Sequence, residues 1–237
     1  MGAADIKACL FDVFGTVVDW RGGITREGEA LGRAKGIETD WAAFADGWRG
    51  LYQPAMEKVR SGGMDWVALD VLHRMNLDQM LAKFGVDNLS EDETDHFNRA
   101  WHRLDPWPDS VAGLTRLKAK FIIATLSNGN IALMVNMAKR AGLPWDMVLG
   151  AEIARAYKPQ PEAYLRSCAA LGLDPGQCML VAAHNSDLVA AAGCGMRTAF
   201  VSRPTEYGPR QDRDFEAEHD FDYVARDFLD LADQLGC

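Results

Sequence analysis

Four polar segments of the chain each follow a run of apolar residues, and they contain residue types used in covalent hydrolysis. In chain order they hold Asp12, Ser127-Asn128, Tyr157-Lys158 and Asp187. A carboxylate at a strand end is a candidate nucleophile. Hydroxyl and amide groups supply hydrogen bonds without adding charge. Lysine orients and neutralises paired acids, so Lys158 fits between Asp12 and Asp187.

Each of these residues also has an ordinary structural interpretation. Asp12 is then a strand-terminating acid that caps the next loop, and Lys158 is a solvated surface lysine. Asn130 is a helix N-cap, and Asp187 is an acid favoured by a helix dipole in the first turn. No single residue decides between the two interpretations. Their joint occurrence at four predicted strand ends favours a functional site.

The elements that must position these residues are short buried strands alternating with helices. This alternation predicts βαβ units and a parallel sheet, and therefore an α/β fold. Ligands bind outside the carboxyl ends of such strands, where the four polar segments begin. The predicted strands lie in the runs Ala8–Phe14, Phe121–Leu126, Met147–Leu149, Cys178–Ala183 and Thr198–Val201.

Between the first two strands the pattern is helical, from about Gly23 to Leu104. Residues 19–105 therefore form a helical module inserted into a core of residues 1–18 and 106–237. Asp105-Pro-Trp-Pro breaks the helical pattern where the chain returns to the core. The expected helices span Ala42 to Val59, Trp66 to Phe84, and a segment that starts at the capping box Ser90-Glu-Asp-Glu93 and runs to about His102.

Composition excludes several kinds of partner. The 237 residues carry a net charge of −9, which disfavours nucleic acid and anionic membranes as partners. The five cysteines show no CxxC pair and predict free buried thiols. Residues 1–7 lack the charged region and long apolar run of a targeting signal, so we expect a cytoplasmic protein. Residues 210–218 are polar and predict a solvated loop or short helix.

The motifs around these residues resemble the four motifs of the haloacid dehalogenase superfamily. They are Phe11-Asp-Val-Phe-Gly-Thr, Leu126-Ser-Asn-Gly, Tyr157-Lys-Pro and the late Asp187. The resemblance covers the core from the first strand to the fourth, and the helical module lies where that family has its cap domain. It implies a Rossmann-like core with Asp12 as a covalent nucleophile.

Two departures separate this sequence from the phosphatases of that superfamily. Phosphatases carry a second Asp two residues after the nucleophile, where this chain has Phe14. Their fourth motif supplies an acid for Mg²⁺, and the alignment puts Ala183 at that position. A halide leaving group requires neither acid. The sequence resembles the type II 2-haloacid dehalogenases in the aromatic Phe14, in Leu126-Ser-Asn-Gly and in Tyr157-Lys-Pro followed by Tyr164. This resemblance implies no metal and no organic cofactor.

This branch implies a role for further residues. Arg49 on the helical module corresponds to an arginine that holds the departing halide, although a solvated helix arginine is the alternative. His184 replaces an Asn of the better-known members; it either serves Asp12 or water, or is a packed structural residue. The catalytic candidates are thus Asp12, Lys158, His184 and Asp187, and the substrate-binding candidates are Thr16, Arg49, Ser127, Asn128, Tyr164 and Asn185.

The expected reaction converts a short 2-haloacid into a 2-hydroxy acid and halide through an aspartyl ester. The expected partners are thus a small anionic substrate and halide, and the resemblance implies a homodimer. A Mg²⁺-dependent phosphatase with a variant site and a non-catalytic protein that binds small acids are the alternatives.

Overall fold

A six-stranded parallel sheet forms the core of the computed structural model, which describes residues 6–209 and 211–237. Its strand order is β5-β4-β1-β6-β7-β8, so β1 lies at the centre between β4 and β6. The predicted parallel sheet is therefore confirmed, and β8 is a strand that the sequence pattern did not predict. The strands are β1 (Ala8–Phe11), β4 (Ile122–Ser127), β5 (Met147–Gly150), β6 (Cys178–Ala182), β7 (Arg197–Val201) and β8 (Tyr223–Ala225).

Helices cover both faces of the sheet. Alternate residues of β1 point to opposite faces, with Phe11 in one apolar cluster and Leu10 in the other. None of the described helices is both long enough and apolar enough to cross a membrane. The helices of the core are α6 (Ser110–Lys118), α7 (Ile131–Ala141), α8 (Ala151–Ala154), α9 (Pro161–Ala170), α10 (Asn185–Gly193) and α11 (Phe228–Gln234).

The chain between β1 and α6 forms a group of helices that we call the helical insert, residues 20–103. A two-stranded antiparallel ribbon stands at its base, where β2 (Val18–Asp19) pairs with β3 (Asp105–Pro106). Both short strands escaped the sequence analysis. The insert contains α1 (Trp20–Lys35), α2 (Trp41–Gly50), α3 (Tyr52–Arg60), α4 (Leu69–Lys83), α5 (Glu91–Asn98) and the 3₁₀ helix Arg99–Arg103.

Three helix predictions for the insert need correction. The expected single helix from Ala42 to Val59 is interrupted at Leu51, because Pro54 has no N–H to donate to the carbonyl of Gly50. The second expected helix begins at Leu69 rather than at Trp66. The capping box at Ser90 is confirmed by both of its hydrogen bonds, but its α-helix ends at Asn98 and tightens into the 3₁₀ helix.

The loop between β7 and β8 confirms the predicted solvated loop over most of its length. Residues 211–218 contain no helix and five of them are exposed, while Gln211 is buried. Arg210, which belongs to the same predicted segment, lies outside the described residues, as do residues 1–5 of the predicted signal-free N-terminus. This loop packs against the carboxyl end of the sheet.

Arg203 begins this loop and joins it to the core. Its guanidinium makes two hydrogen bonds to the Asp109 carboxylate, at 2.7 and 2.8 Å. Its Nε donates to the Thr16 carbonyl at 2.8 Å, and Asp109 also accepts the Phe228 N–H at 2.8 Å. The side chain of Arg203 is 7% exposed. One arginine therefore ties together four segments of the chain.

We expect Arg203→Met to lower the free energy of unfolding by about 3 kcal/mol, because it leaves the Asp109 carboxylate part-buried without its countercharge. Urea denaturation at pH 7 measures the change. Arg226→Met is the matched control, since its side chain is 87% exposed in the ion pair with Asp230 and its removal should have no measurable effect. Equal stability of the two variants would contradict the prediction.

Candidate active site

Asp12 lies immediately after β1, at the carboxyl edge of the sheet. Its N–H continues the strand pairing by donating to the Val181 carbonyl at 3.0 Å. Its side chain is 10% exposed, and its carboxylate accepts three hydrogen bonds from side chains. Thr16 Oγ1 lies 2.7 Å and His184 Nδ1 3.1 Å from Oδ2, and Lys158 Nζ lies 2.9 Å from Oδ1. Oδ1 thus accepts fewer hydrogen bonds than Oδ2.

Lys158 connects Asp12 to Asp187. Its buried ammonium donates to Asp12 Oδ1 and to Asp187 Oδ2, so the two carboxylates share one cation. The backbone N–H of Lys158 donates to Asn128 Oδ1 at 2.8 Å, which fixes the loop to the end of β4. Asp187, in the first turn of α10, also accepts a hydrogen bond from the Tyr164 hydroxyl at 2.6 Å. The structure therefore brings together seven of the predicted residues, which are Asp12, Thr16, Asn128, Lys158, Tyr164, His184 and Asp187.

The charges of this cluster stabilise one another. Burial alone would raise the pKa of Asp12, but the Lys158 ammonium and the His184 hydrogen bond hold it well below its usual range. Burial alone would lower the pKa of Lys158, but Asp12 and Asp187 raise it above its usual value. Asp12 is therefore ionised and Lys158 is protonated at neutral pH, as a carboxylate nucleophile requires.

His184 lies between two carboxylates. Its Nδ1 faces Asp12 Oδ2, and its Nε2 lies 3.0 Å from both oxygens of Glu206. Burial alone would lower the pKa of His184, but the Glu206 charge and the Asp12 hydrogen bond raise it well above its usual value. With acceptors at both ring nitrogens, the protonated imidazole satisfies both as a double donor. His184 is therefore a hydrogen-bond donor to Asp12 and not only a packing residue.

Glu206 is a site residue that the sequence analysis missed. Its side chain is 1% exposed, and its carboxylate also accepts a hydrogen bond from the indole N–H of Trp20 at 2.9 Å. Gly15 makes room for it: Gly15 has φ +89°, and a Cβ there would collide with the Glu206 carboxyl group. The place of Glu206 after the end of β7 is a local feature of the sequence, whereas its contacts with His184 and Trp20 leave no pattern there.

A cavity of about 870 Å³ opens above Asp12 between the core and the insert. Arg49, at the end of α2, lies in its wall, with its guanidinium carbon 4.2 Å from the ring centre of Tyr52 and 5.9 Å from that of Phe14. Its Nη1 is buried and has no hydrogen-bond partner within residues 6–209 and 211–237. Arg49 thus presents an unpaired donor next to an aromatic wall. This arrangement suits a weakly hydrated anion.

Three of the predicted substrate contacts, Thr16, Ser127 and Asn185, do not line the cavity. Thr16 is fully buried between Asp12 and the Ala183 N–H, to which its Oγ1 lies 2.9 Å. Ser127 is fully buried and accepts the Gly129 N–H at 3.0 Å. Thr16 and Ser127 therefore support the site from the protein interior.

Asn185, also predicted as a substrate contact, makes its side-chain hydrogen bonds to the loop between β7 and β8. Its side-chain amide donates to Asp214 Oδ1 and to the Glu216 carbonyl, both at 3.0 Å, and its Oδ1 accepts the Glu218 N–H at 2.8 Å. These bonds occupy the amide with the loop between β7 and β8. Asn185 therefore anchors that loop and is absent from the cavity wall.

The donor set around Asp12 does not suit Mg²⁺, which takes oxygen ligands in near-octahedral geometry. Asp12 and Asp187 share the Lys158 ammonium, and the methyl group of Ala183 offers no oxygen. In the described part of the chain, no group of three or more His, Cys, Asp or Glu side chains is arranged to hold a metal ion.

Comparison with known proteins places this geometry in a family. The sequence model of the haloacid dehalogenase-like hydrolases matches residues 6–195. The fold is similar to the crystal structure of a defluorinating L-2-haloacid dehalogenase, with 51% identity, a TM-score of 0.96 and coverage of 98% of this chain and 96% of that one. It is also similar to a second L-2-haloacid dehalogenase structure, with 48% identity, a TM-score of 0.95 and coverage of 98% and 99%.

A curated relative agrees with these structures. The (S)-2-haloacid dehalogenase 1 of Pseudomonas sp. (strain CBS-3) is 28% identical over 226 residues, which is 85% of this chain and 88% of that protein. The matched segments include Asp12, Lys158 and Asp187 within the span of the family model. The chain therefore belongs to the haloacid dehalogenase-like hydrolase family.

Proposed function

We propose that the protein hydrolyses the carbon–halogen bond of short 2-haloacids, without a metal, through an ester on Asp12. The observation that carries the proposal is the pairing of an ionised Asp12, held by Lys158, with Phe14 two residues later. Phe14 offers no proton to a leaving alcohol, whereas a halide leaves without one. The two solved structures that share 51% and 48% sequence identity with this chain are L-2-haloacid dehalogenases, and one of them is described as defluorinating.

In the first step, Asp12 Oδ1 attacks the halogen-bearing carbon in line with the bond that breaks. Oδ1 is the better nucleophile because Lys158 is its single side-chain hydrogen-bond donor, while Oδ2 accepts from Thr16 and His184. A carbon–oxygen bond forms, and the halide departs with the bonding electrons. The free Nη1 of Arg49 and the amide of Asn128 stabilise the halide.

In the second step, water attacks the carbonyl carbon of the Asp12 ester. Asp187, held by Tyr164, accepts the proton of that water. The charge that develops on Oδ2 is stabilised by the donors already bound there, Thr16 and protonated His184. The bond between the Asp12 carbonyl carbon and Oδ1 then breaks, and Asp187 returns its proton to the departing oxygen. The 2-hydroxy acid leaves with its carbon inverted once, and the new carboxyl group of Asp12 loses its proton to solvent, which regenerates the carboxylate.

The helical insert acts as a cap over this reaction, with the cap spanning residues 19–105 and the core residues 1–18 and 106–237. Arg49, Tyr52 and Trp20 of the insert form the cavity wall that faces Asp12. Closure of this wall excludes bulk water and strengthens the electrostatic interactions inside. The short ribbon of β2 and β3 joins the two parts.

The five cysteines are free thiols, which supports a reducing compartment such as the cytoplasm. We propose that the protein works there as a homodimer, as the resemblance to its family implies. Small haloacids and halide are then its partners, and nucleic acid and membranes are not.

Halide release from chloroacetate, fluoroacetate and 2-chloropropionate in the presence of EDTA tests the proposed function. We expect release by the wild type and a loss on the order of 10³-fold or more in Asp12→Ala, which lacks the nucleophile. Asp220→Ala removes an exposed carboxylate and serves as the control. Phosphate release that requires Mg²⁺, without halide release, would establish the phosphatase alternative. Binding of haloacids without turnover would establish the non-catalytic alternative.

A single turnover in ¹⁸O-labelled water tests the covalent mechanism. Because the hydroxyl oxygen of the product comes from Asp12, the first 2-hydroxy acid should be unlabelled and the label should enter Asp12. Mass spectrometry of the product and of the peptide containing Asp12 measures both. Label found directly in the product of the first turnover would refute the ester intermediate.

The pH dependence of halide release tests the role of the His184–Glu206 pair. The raised pKa of His184 keeps it protonated at neutral pH, and its donor function is lost as the pH rises through that pKa. In Glu206→Gln the countercharge is gone, so we expect the alkaline limb of the kcat/KM profile to move to lower pH. Glu218→Gln, an exposed carboxylate on the same loop, is the control and should leave the profile in place.

A further inference from the structure

The helical insert holds the short core segment that carries Lys158. Three contacts join insert residues 60–67 to core residues 155–158. Arg60 Nη1 donates to the Lys158 carbonyl at 2.9 Å, and the Tyr157 hydroxyl donates to the Val67 carbonyl at 2.8 Å. The guanidinium carbon of Arg155 lies 3.8 Å from the ring centre of Trp66. The insert therefore contacts both the backbone and the side chains of this segment.

The backbone of Lys158 is fixed from two sides. Its N–H donates to Asn128 Oδ1, which belongs to the core, and its carbonyl accepts from Arg60, which belongs to the insert. The ammonium at the other end of the residue must reach Asp12 and Asp187 together. Because the side chain is buried, the backbone position determines where the ammonium lies.

Arg60 is itself held in place. Its Nε donates to Glu57 at 2.8 Å, and both terminal nitrogens lie 3.3 Å from Gln53 Oε1. The Arg60 side chain is 13% exposed, whereas that of Glu57 is 61% exposed. A guanidinium fixed in this way presents a rigid donor and loses little side-chain entropy on binding the carbonyl.

We propose that Arg60 is a positioning residue that holds the Lys158 carbonyl and thereby places the ammonium between Asp12 and Asp187 when the insert is seated on the core. This inference rests on the proposed function, because it gives Arg60 a part in the same reaction. If Arg60 acts in this way, Asp12 has its full countercharge only when the insert is packed on the core. A haloacid therefore binds when the insert is packed on the core and Lys158 is in place between Asp12 and Asp187.

Arg60 also lines the cavity, so direct binding of the substrate anion is the competing role. The two roles separate in steady-state kinetics. An arginine that binds substrate in the ground and transition states alike affects KM, whereas a misplaced Lys158 affects kcat.

We expect Arg60→Met to lower kcat for chloroacetate by about 10- to 100-fold, as for a small misplacement of a catalytic group, with KM changed by less than about 3-fold. Arg60→Lys keeps a cationic donor and should recover part of kcat. If Arg60→Met does not fold, a smaller change in the same direction in Arg60→Lys supports the proposal, and wild-type kinetics in that variant overturn it.

Arg74→Met is the matched control, since Arg74 is an insert arginine whose carboxylate partners, Asp78, Glu91 and Asp95, all lie within the insert. It should leave kcat and the pH profile unchanged. An increase in KM at constant kcat in Arg60→Met would overturn the proposal.

Hydrogen exchange provides a measurement that does not depend on activity. Peptides covering residues 153–160 should exchange faster in Arg60→Met than in the wild type, while those of α10 should not. If the wild type releases no halide, the proposed function fails, and this exchange result still decides whether Arg60 fixes the Lys158 segment. Unchanged exchange of residues 153–160 would overturn the proposal.

Discussion

The Lys158 ammonium, buried between Asp12 and Asp187, is the interaction on which the rest of the site depends. Two carboxylates held this close repel each other and would take up a proton without a cation between them. With the ammonium present, Asp12 stays ionised although it is almost entirely shielded from water. Nucleophilic attack by a carboxylate requires this ionised form, so the position of one side chain controls the chemistry.

A second cation balances the opposite side of Asp12. His184 lies between Asp12 and the buried Glu206, so the row of charges alternates from Asp187 through Lys158, Asp12 and His184 to Glu206. Alternation of this kind offsets the desolvation of each group, which none of them tolerates alone. The row still carries one more negative than positive charge, so an anion in the cavity needs a further cation, such as Arg49 in its wall.

The parts of the site that were predictable from sequence follow from the parallel sheet. Asp12, Asn128 and Lys158 come after successive apolar runs, and the carboxyl ends of parallel strands meet at one edge. Their proximity was therefore expected before any contact was known. The interruption at Leu51 was equally readable, because Pro54 cannot continue the hydrogen bonding of the preceding helix.

Other features of the site depend on long-range packing that leaves no local pattern. Glu206 belongs to an irregular loop, and its place beside His184 is set by Arg203 binding to Asp109, nearly a hundred residues away in sequence. Asn185 is two residues before Asp187 yet turns to the loop between β7 and β8, because its amide can satisfy three backbone and side-chain partners there.

The fold class, the candidate nucleophile Asp12 and the lack of an acid at position 14 could all be read from the sequence, since apolar runs and the residues that follow them are local properties. Only the tertiary structure shows which partner makes His184 a donor and how Arg60 of the insert reaches the Lys158 carbonyl. These contacts join residues separated by 22 and 98 positions, so no spacing in the sequence reports them. Their geometry follows from the packing of the insert and the loops on the sheet.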